Sequence, residues 1–242
     1  MERVKLGILA DGGLNSFLIW ALYKEATNIY VRLGYKHQLK HTQAMFRLAR
    51  LVPDFKTLYI DGPQMASYET PSGIIPMRNA ELIISASHYA DVIMLGVSKY
   101  ELASDKSAEF LSAMETVLNV SWRSQKWNDN VGRSFQVHSP IRNYTRAQLV
   151  KLYIDHGNDP AYLAHTVDCV RPMLHHCGAC DKCAQRWVAL KLNKLQHINA
   201  WEQEPIKYIA KSALLRMAHS GHYPPEYAAE ILLAVQDEGV PL

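Results

Sequence analysis

Cysteine is scarce in this chain and confined to one place: 242 residues hold four, all between positions 169 and 183. With none elsewhere, no disulfide can join distant parts of the fold. Charge of one sign is also missing. The formal net charge of +3 is too small to argue for nucleic acid or an acidic membrane as a partner. Its basic residues are scattered rather than striped beside aromatics, which leaves a nucleic-acid-binding zinc module little support. Long apolar runs are absent too. The first, before Asp11-Gly12-Gly13, is only about six residues long, too short for a signal-peptide core or a membrane span. No Gly-Lys-Ser/Thr follows the glycine pair, so this is not a Walker loop. The chain carries no internal repeat and no low-complexity segment. What is present is ordinary: 48% hydrophobic and 20% charged residues, enough for one substantial core and a small appendage. Unpaired thiols and no export signal predict a cytoplasmic location.

The cysteines fall as Cys169, Cys177, Cys180 and Cys183, a Cys-x7-Cys-x2-Cys-x2-Cys array. Four thiolates suit one soft metal, and tetrahedral zinc is the usual occupant. A complete cysteine set leaves no open position for water or substrate, so the metal is expected to be structural. Two local disulfides and an iron–sulfur cluster are the alternatives, although the run lacks the cysteine-then-proline ending of bacterial ferredoxins. His175 and His176, adjacent to a complete set, are expected beside the metal or on the surface rather than on it.

Short apolar runs alternate with helical patterns through about residue 160. Strands are expected over residues 4–10, 28–34, 55–61, 90–97 and 135–141, the last stopping at Pro140-Ile141. Helices are expected over 14–24, 41–51, 78–89 and 105–119, with a glycine- and proline-rich loop at 62–76 placed as a candidate substrate lid. Lys40, Arg47 and Arg50 lie near the ends of the second helix. Thr145 with Gln148 three residues on predicts a capping box, and that helix should end near Gly157. Residues 184–194, 205–219 and 224–237 read as helices, the last opening with proline. The alternation predicts an α/β doubly wound parallel sheet over residues 1–165. Residues 166–242 form the metal knuckle and a helical extension.

In such sheets ligands bind beyond the carboxyl ends of the strands. Gly12-Gly13 between the first strand and helix, with Ser16, offers backbone N–H groups to an anion, although a double glycine also serves a plain tight turn. Arg78-Asn79, reached through Pro76, and Asp105 should lie at the same edge.

Together these residues resemble the PP-loop, N-type ATP pyrophosphatases, and among them the QueC (7-cyano-7-deazaguanine synthase, ExsB-like) family. The family's Ser-Gly-Gly-x-Asp-Ser is similar to Asp11-Gly12-Gly13-Leu14-Asn15-Ser16, and its Pro-x-Arg-Asn to Pro76-Met77-Arg78-Asn79. Ile-x-x-Gly-Val matches Ile93 to Val97, and Asp-Cys-Arg-x-x-Phe aligns loosely with Asp105 to Phe110. The closing Cys-Gly-x-Cys-x-x-Cys agrees with Cys177 to Cys183. The resemblance implies an adenine-nucleotide α-hydrolase-like (HUP) sheet that uses ATP and Mg²⁺ and carries a structural Zn²⁺ on Cys169, Cys177, Cys180 and Cys183. It implies nucleotide contacts from Ala10, Gly12, Gly13, Leu14, Ser16, Arg78 and Asn79, and contacts to a 7-deazaguanine carboxylate from Arg78, Asn79, Asp105 and Lys106. Asp11, Asn15, Ser16 and Lys106 occupy the catalytic positions. Ammonia is the second substrate, and a homodimer is implied. No direct nucleic-acid or membrane partner is expected.

Two departures fall in the glycine turn. The family's first serine is Asp11, whose carboxylate at about 4 Å from a phosphate oxygen would meet roughly 4 kcal/mol of repulsion at an effective dielectric near 20. The family's metal-holding aspartate is Asn15, a neutral oxygen ligand, and Asp11 could serve the metal from the other side of the turn. Lys106-Ser107 replaces Cys-Arg. A variant that stops at the amide, and a non-catalytic nucleotide- or deazaguanine-binding protein, are the alternatives these changes raise. After Cys183, Trp187, Trp201, Tyr208, Leu214, Leu215 and Ile231 exceed what a knuckle needs and are expected to dock on the core or on a second subunit.

Overall fold

The computed structural model describes residues 4–71, 73–99, 101, 104–123, 132–171, 175–236 and 238. Five strands, β1 (Leu6–Leu9), β2 (Thr27–Arg32), β3 (Thr57–Asp61), β4 (Val92–Leu95) and β5 (Gln136–His138), form one sheet in the order β3-β2-β1-β4-β5. Every pairing is parallel. The chain winds outward through β2 and β3, then returns to the other side of β1 for β4 and β5. That reversal between β1 and β4 is where a doubly wound sheet opens a crevice.

Alternation along each strand sorts side chains to two faces. Ile8, Tyr30 and Met94 join one core with α1 (Leu14–Leu22), α2 (Gln38–Leu51) and α5 (Arg146–Asp155). Ile29, Val31, Ile93 and Leu95 join the other with α3 (Arg78–Ser87) and α4 (Ala108–Ser121). Both faces are covered, which is why the central strands β1 and β4 are apolar throughout, whereas the edge strand β5 alternates exposed Gln136 and His138 with buried Val137. Leu9 pairs with Ile29 and with Leu95, so three strands end at one level below the crevice.

The capping box at α5 is present in full: Thr145 accepts from Gln148 N–H and Gln148 returns to the Thr145 N–H. The helix expected over 105–119 is divided. A short 3₁₀ turn over Ser104–Lys106 precedes α4, and Ser107, extended at φ −66° and ψ 161°, caps α4 by accepting from Phe110 N–H. Serine competes for backbone donors and starts a new helix there. Likewise the segment at 205–219 is two helices, α7 (Pro205–Lys211) and α8 (Ala213–His219), separated by Ser212, which is extended and accepts from Leu214 N–H. The last helix, α9, spans Pro225–Gln236, and its expected end at Asp237 lies outside the described residues. Within the 62–76 loop, Ala66–Tyr68 forms a 3₁₀ turn.

The C-terminal apolar residues find their partners within this chain. Trp187 on α6 (Asp181–Leu192), Leu214, Leu215 and Ile231 are buried together, with Trp201 and Tyr208 partly buried against them. They therefore need no second subunit to cover them. The opposite side of α6 gives Ala189 and Leu190 to the core beneath α1 and α5. Among the described residues no helix is long and apolar enough to cross a membrane.

Candidate functional site: a cavity between the glycine turn and the cysteine knuckle

A cavity of about 750 Å³ opens above the carboxyl ends of β1, β2 and β4. Ala10, Asp11, Gly13, Asn15, Ser16, Arg78, Asn79 and Lys106 line it, so residues from four separate stretches meet there. Gly12 and Leu14 belong to the same turn without lining the cavity, and Asp105 stands behind Asn79, accepting from its Nδ2 at 2.8 Å. Gly12 is required by the turn itself: its φ is +74°, and an added Cβ would lie 2.7 Å from that of Ala44.

The turn is not an open anion cradle. The Gly13 N–H donates to Asp11 Oδ1 at 2.8 Å, and the Ser16 hydroxyl donates to the same oxygen at 2.9 Å. The Leu14 N–H donates to Asp168 Oδ1 at 3.3 Å. Two carboxylates of this chain thus use the donors at the start of α1 that would otherwise face a phosphate. Asn15 donates from Nδ2 to the Gly96 carbonyl at 2.9 Å, which orients its amide and leaves Oδ1 buried without a partner. That orphaned oxygen, together with the Asp11 carboxylate, fits a hard cation bound also by phosphates.

Arg78 begins α3 from an unusual backbone. Met77, its N-cap, is in the left-handed region at φ 62° and ψ 7°, which for a residue with a Cβ costs on the order of 1 kcal/mol. The Arg78 side chain makes no hydrogen bond or ion pair among the described residues, so its guanidinium is available to a ligand in the cavity it lines. Lys106 is not free. It pairs with Glu101, which also receives Arg146 at 3.3 Å and Lys182 at 3.7 Å. Burial works against the Glu101 charge, but Lys182, Lys106 and Arg146 outweigh it and hold its pKa down at about 2.

Tyr35 and His41 stand on the opposite wall, joined between the hydroxyl and Nδ1 at 2.8 Å. Burial raises the tyrosine pKa and lowers that of the histidine, so both stay neutral at pH 7.

The four cysteines are free and buried, with their Sγ atoms all within 4.8 Å of one another. Cys177 and Cys183 are 3.9 Å apart, close to the roughly 3.8 Å edge of a tetrahedron with 2.3 Å zinc–sulfur bonds. No disulfide joins them, and the pocket fits one tetrahedral metal. Gly178 permits the loop: its φ is +69°, and a Cβ would fall 1.6 Å from the Gln203 carbonyl oxygen. His175 is exposed, whereas His176 is buried against Trp201, 5.2 Å between rings. Burial and the Arg186 guanidinium lower the His176 pKa to about 4.

Knuckle and turn are physically joined. Fully buried Arg186 on α6 donates to Asp168 Oδ2 at 2.8 Å and to Thr166 Oγ1 at 2.7 Å, while the other oxygen of Asp168 caps α1. The Val167 N–H also donates to the Gly12 carbonyl at 2.8 Å. Lys40 is not a solvated helix-end charge. It is 4% exposed and donates to the carbonyls of Cys169 and Arg171, tying α2 to the knuckle.

Sequence reasoning missed Tyr35, His41, Glu101, Arg146, Asp168 and Lys182 in this cavity. Position holds a signal for three of them: Asp168 precedes a cysteine of the array, Lys182 lies between two, and Arg146 follows a helix cap. Tyr35, His41 and Glu101 carry no local signal.

A family model described as "Queuosine biosynthesis protein QueC" matches residues 21–194, a span that opens after the glycine turn and closes beyond the last cysteine. The 7-cyano-7-deazaguanine synthase of Stutzerimonas stutzeri is 26% identical, over 77% of this chain and 93% of its own length. That of Myxococcus xanthus is 27% identical, over 74% and 89%. The Rickettsia felis synthase is 22% identical, over 85% and 99%. With a parallel sheet wound about β1, a cavity at its switch point and four converging thiols, the chain belongs to the QueC family.

Proposed function

We propose that this chain is an ATP-dependent ligase that converts 7-carboxy-7-deazaguanine and ammonia to 7-cyano-7-deazaguanine. The observation that carries the reading is the meeting of the glycine turn, Arg78-Asn79 and Lys106 around one cavity at the sheet's switch point in a QueC-family chain. A carboxylate oxygen leaves poorly until it carries AMP. Adenylation by ATP releases pyrophosphate, ammonia displaces AMP to give the amide, and a second adenylation lets the amide oxygen depart as AMP. Arg78, whose guanidinium has no partner among the described residues, would hold a phosphate or the substrate carboxylate, and Asn79, braced by Asp105, would orient it. Asp11 and Asn15 would hold Mg²⁺, which when bound offsets phosphate charge. Cys169, Cys177, Cys180 and Cys183 would hold Zn²⁺ in a structural role. In this reading residues 1–165 carry most of the ligand cavity, and residues 166–242 the metal, the helical extension and the cavity wall at Asp168 and Lys182. The family resemblance also suggests a cytoplasmic homodimer, which light scattering on a sizing column tests.

Mass spectrometry of the protein incubated with 7-carboxy-7-deazaguanine, ATP, Mg²⁺ and ammonium tests the reading, scored for nitrile, amide and AMP. Nitrile with two AMP per product is expected. Amide with one AMP would replace it by the variant that stops after one round. A second reading is favoured by the occupied donors of the glycine turn: a non-catalytic protein that binds nucleotide or deazaguanine. Absence of product and AMP, beside an active relative under the same conditions, would establish that reading instead.

A further inference from the structure

The charges of the cavity are distributed against the usual pattern for a glycine turn. On the turn side, Asp11 and Asp168 consume the backbone donors. On the far side, three cations from three separate elements crowd around one carboxylate. Lys106 comes from the 3₁₀ turn before α4, Arg146 from the first turn of α5, and Lys182 from the first turn of α6, between two cysteines of the knuckle. Glu101 receives all three, and its side chain is 11% exposed. The next carboxylate, Asp168, serves Arg146 as well as Arg186, so Lys106, Arg146, Lys182 and Arg186, four cations, face two carboxylates and an excess of positive charge remains. One acceptor cannot satisfy so many donors. Arg146 retains Nη1 buried without a hydrogen-bond partner, an orphan that a native interior rarely tolerates.

We propose that Lys106, Arg146 and Lys182 form an anion subsite of the cavity, with Glu101 as the internal counter-ion that holds them together until a ligand's phosphate or carboxylate oxygens arrive. The proposal deepens the ligase reading and rests on it for the identity of the ligand. Phosphate and carboxylate share the chemistry these donors recognise: negative oxygen in a half-buried, cationic setting. Lys182 adds a consequence peculiar to this wall. Its backbone belongs to the cysteine loop, so a metal held by Cys180 and Cys183 would also position one side of the subsite.

Calorimetric titration of the metal-loaded full chain separates this from a purely structural cluster. The probes are inorganic pyrophosphate, 7-carboxy-7-deazaguanine and the uncharged 7-cyano compound. Lys182→Met is expected to weaken the responding anion about tenfold, the worth of one charge-assisted bond, and to leave the uncharged compound unaffected. Glu101→Gln, by removing the competing carboxylate, is expected to tighten the same anion. Which anion responds identifies the source, pyrophosphate pointing to the nucleotide and the carboxy compound to the base. Metal content and melting temperature are read on the same samples, and Lys106→Met supplies the first arm should Lys182→Met lose its metal. Weakening by both the lysine and the glutamate variants, unchanged affinities, or no anion binding by the wild type overturns the subsite. Product formation is followed in parallel. Product with unchanged affinities removes the subsite and keeps the ligase, whereas opposed affinity changes without product keep the subsite and remove the ligase.

Discussion

The cysteine knuckle and the glycine turn lie far apart in the chain, share Asp168 as a physical link, and depart from the family to different degrees. The knuckle has every ligand in its expected order, and its four thiols converge to within 4.8 Å. The turn keeps its glycines and Ser16 but exchanges a serine for Asp11 and an aspartate for Asn15, and its donors are occupied from within. A metal pocket is defined by the ligands it contains, so a sequence displays it. An anion cradle is defined by donors left unused, and that depends on side chains elsewhere. Asp168 closes the Leu14 N–H from 154 residues further along the chain.

The strongest test of this contrast is removal of the metal. Cys180→Ser, or chelation, is expected to abolish metal binding and unravel the knuckle with the helices packed on α6. Structural zinc contributes about 10–16 kcal/mol in small zinc domains. Metal stoichiometry and a thermal melt by circular dichroism check it, and an unchanged melt would mean the knuckle stands without its ion.

A smaller effect is expected at the wall that joins knuckle to sheet. Glu101 has its carboxyl lowered from 4.5 to about 2 in the folded state, equivalent to roughly 3 kcal/mol of pairing. Because the folded pKa is the lower one, this stability is complete above about pH 4.5 and is lost as pH falls toward 2. Urea unfolding of wild type and Glu101→Gln between pH 7 and pH 2.5 should show the difference shrinking with acid. A constant gap would show that the pairing does not titrate.

The smallest and most specific test concerns the turn. Asp11→Ser frees the Gly13 N–H and the Ser16 hydroxyl and removes one negative charge. Without Mg²⁺, tightening of ATP by about tenfold, some 1.4 kcal/mol, is expected by calorimetric titration, and with Mg²⁺ that gain should be lost together with the cation Asp11 would hold. Equal tightening in Mg²⁺ would mean that Asp11 holds no cation for the nucleotide.

Much of the fold was legible because it follows from local chemistry. Strand-like runs of seven or eight residues between helical patterns located all five strands within a few residues, and Thr145 with Gln148 announced α5 by its cap. Ser107 and Ser212 broke two expected helices because a serine side chain can satisfy backbone donors as well as the next helical turn can. Lys40 illustrates the opposite limit. A lysine near a helix end reads as solvated, and only the return of the chain at 169–171 supplies the carbonyls that bury it.

The sequence by itself determined the parallel α/β class, the grouping of the four cysteines and the family motifs, since these depend on residue type, spacing and period along the chain. Tertiary structure alone decided that the turn is capped by Asp11 and Asp168, that Lys106 is pinned by Glu101, and that Arg78 is free. Hydrogen bonds and ion pairs go to whichever group lies within about 3 Å, and neighbours in space are chosen by packing of the whole chain.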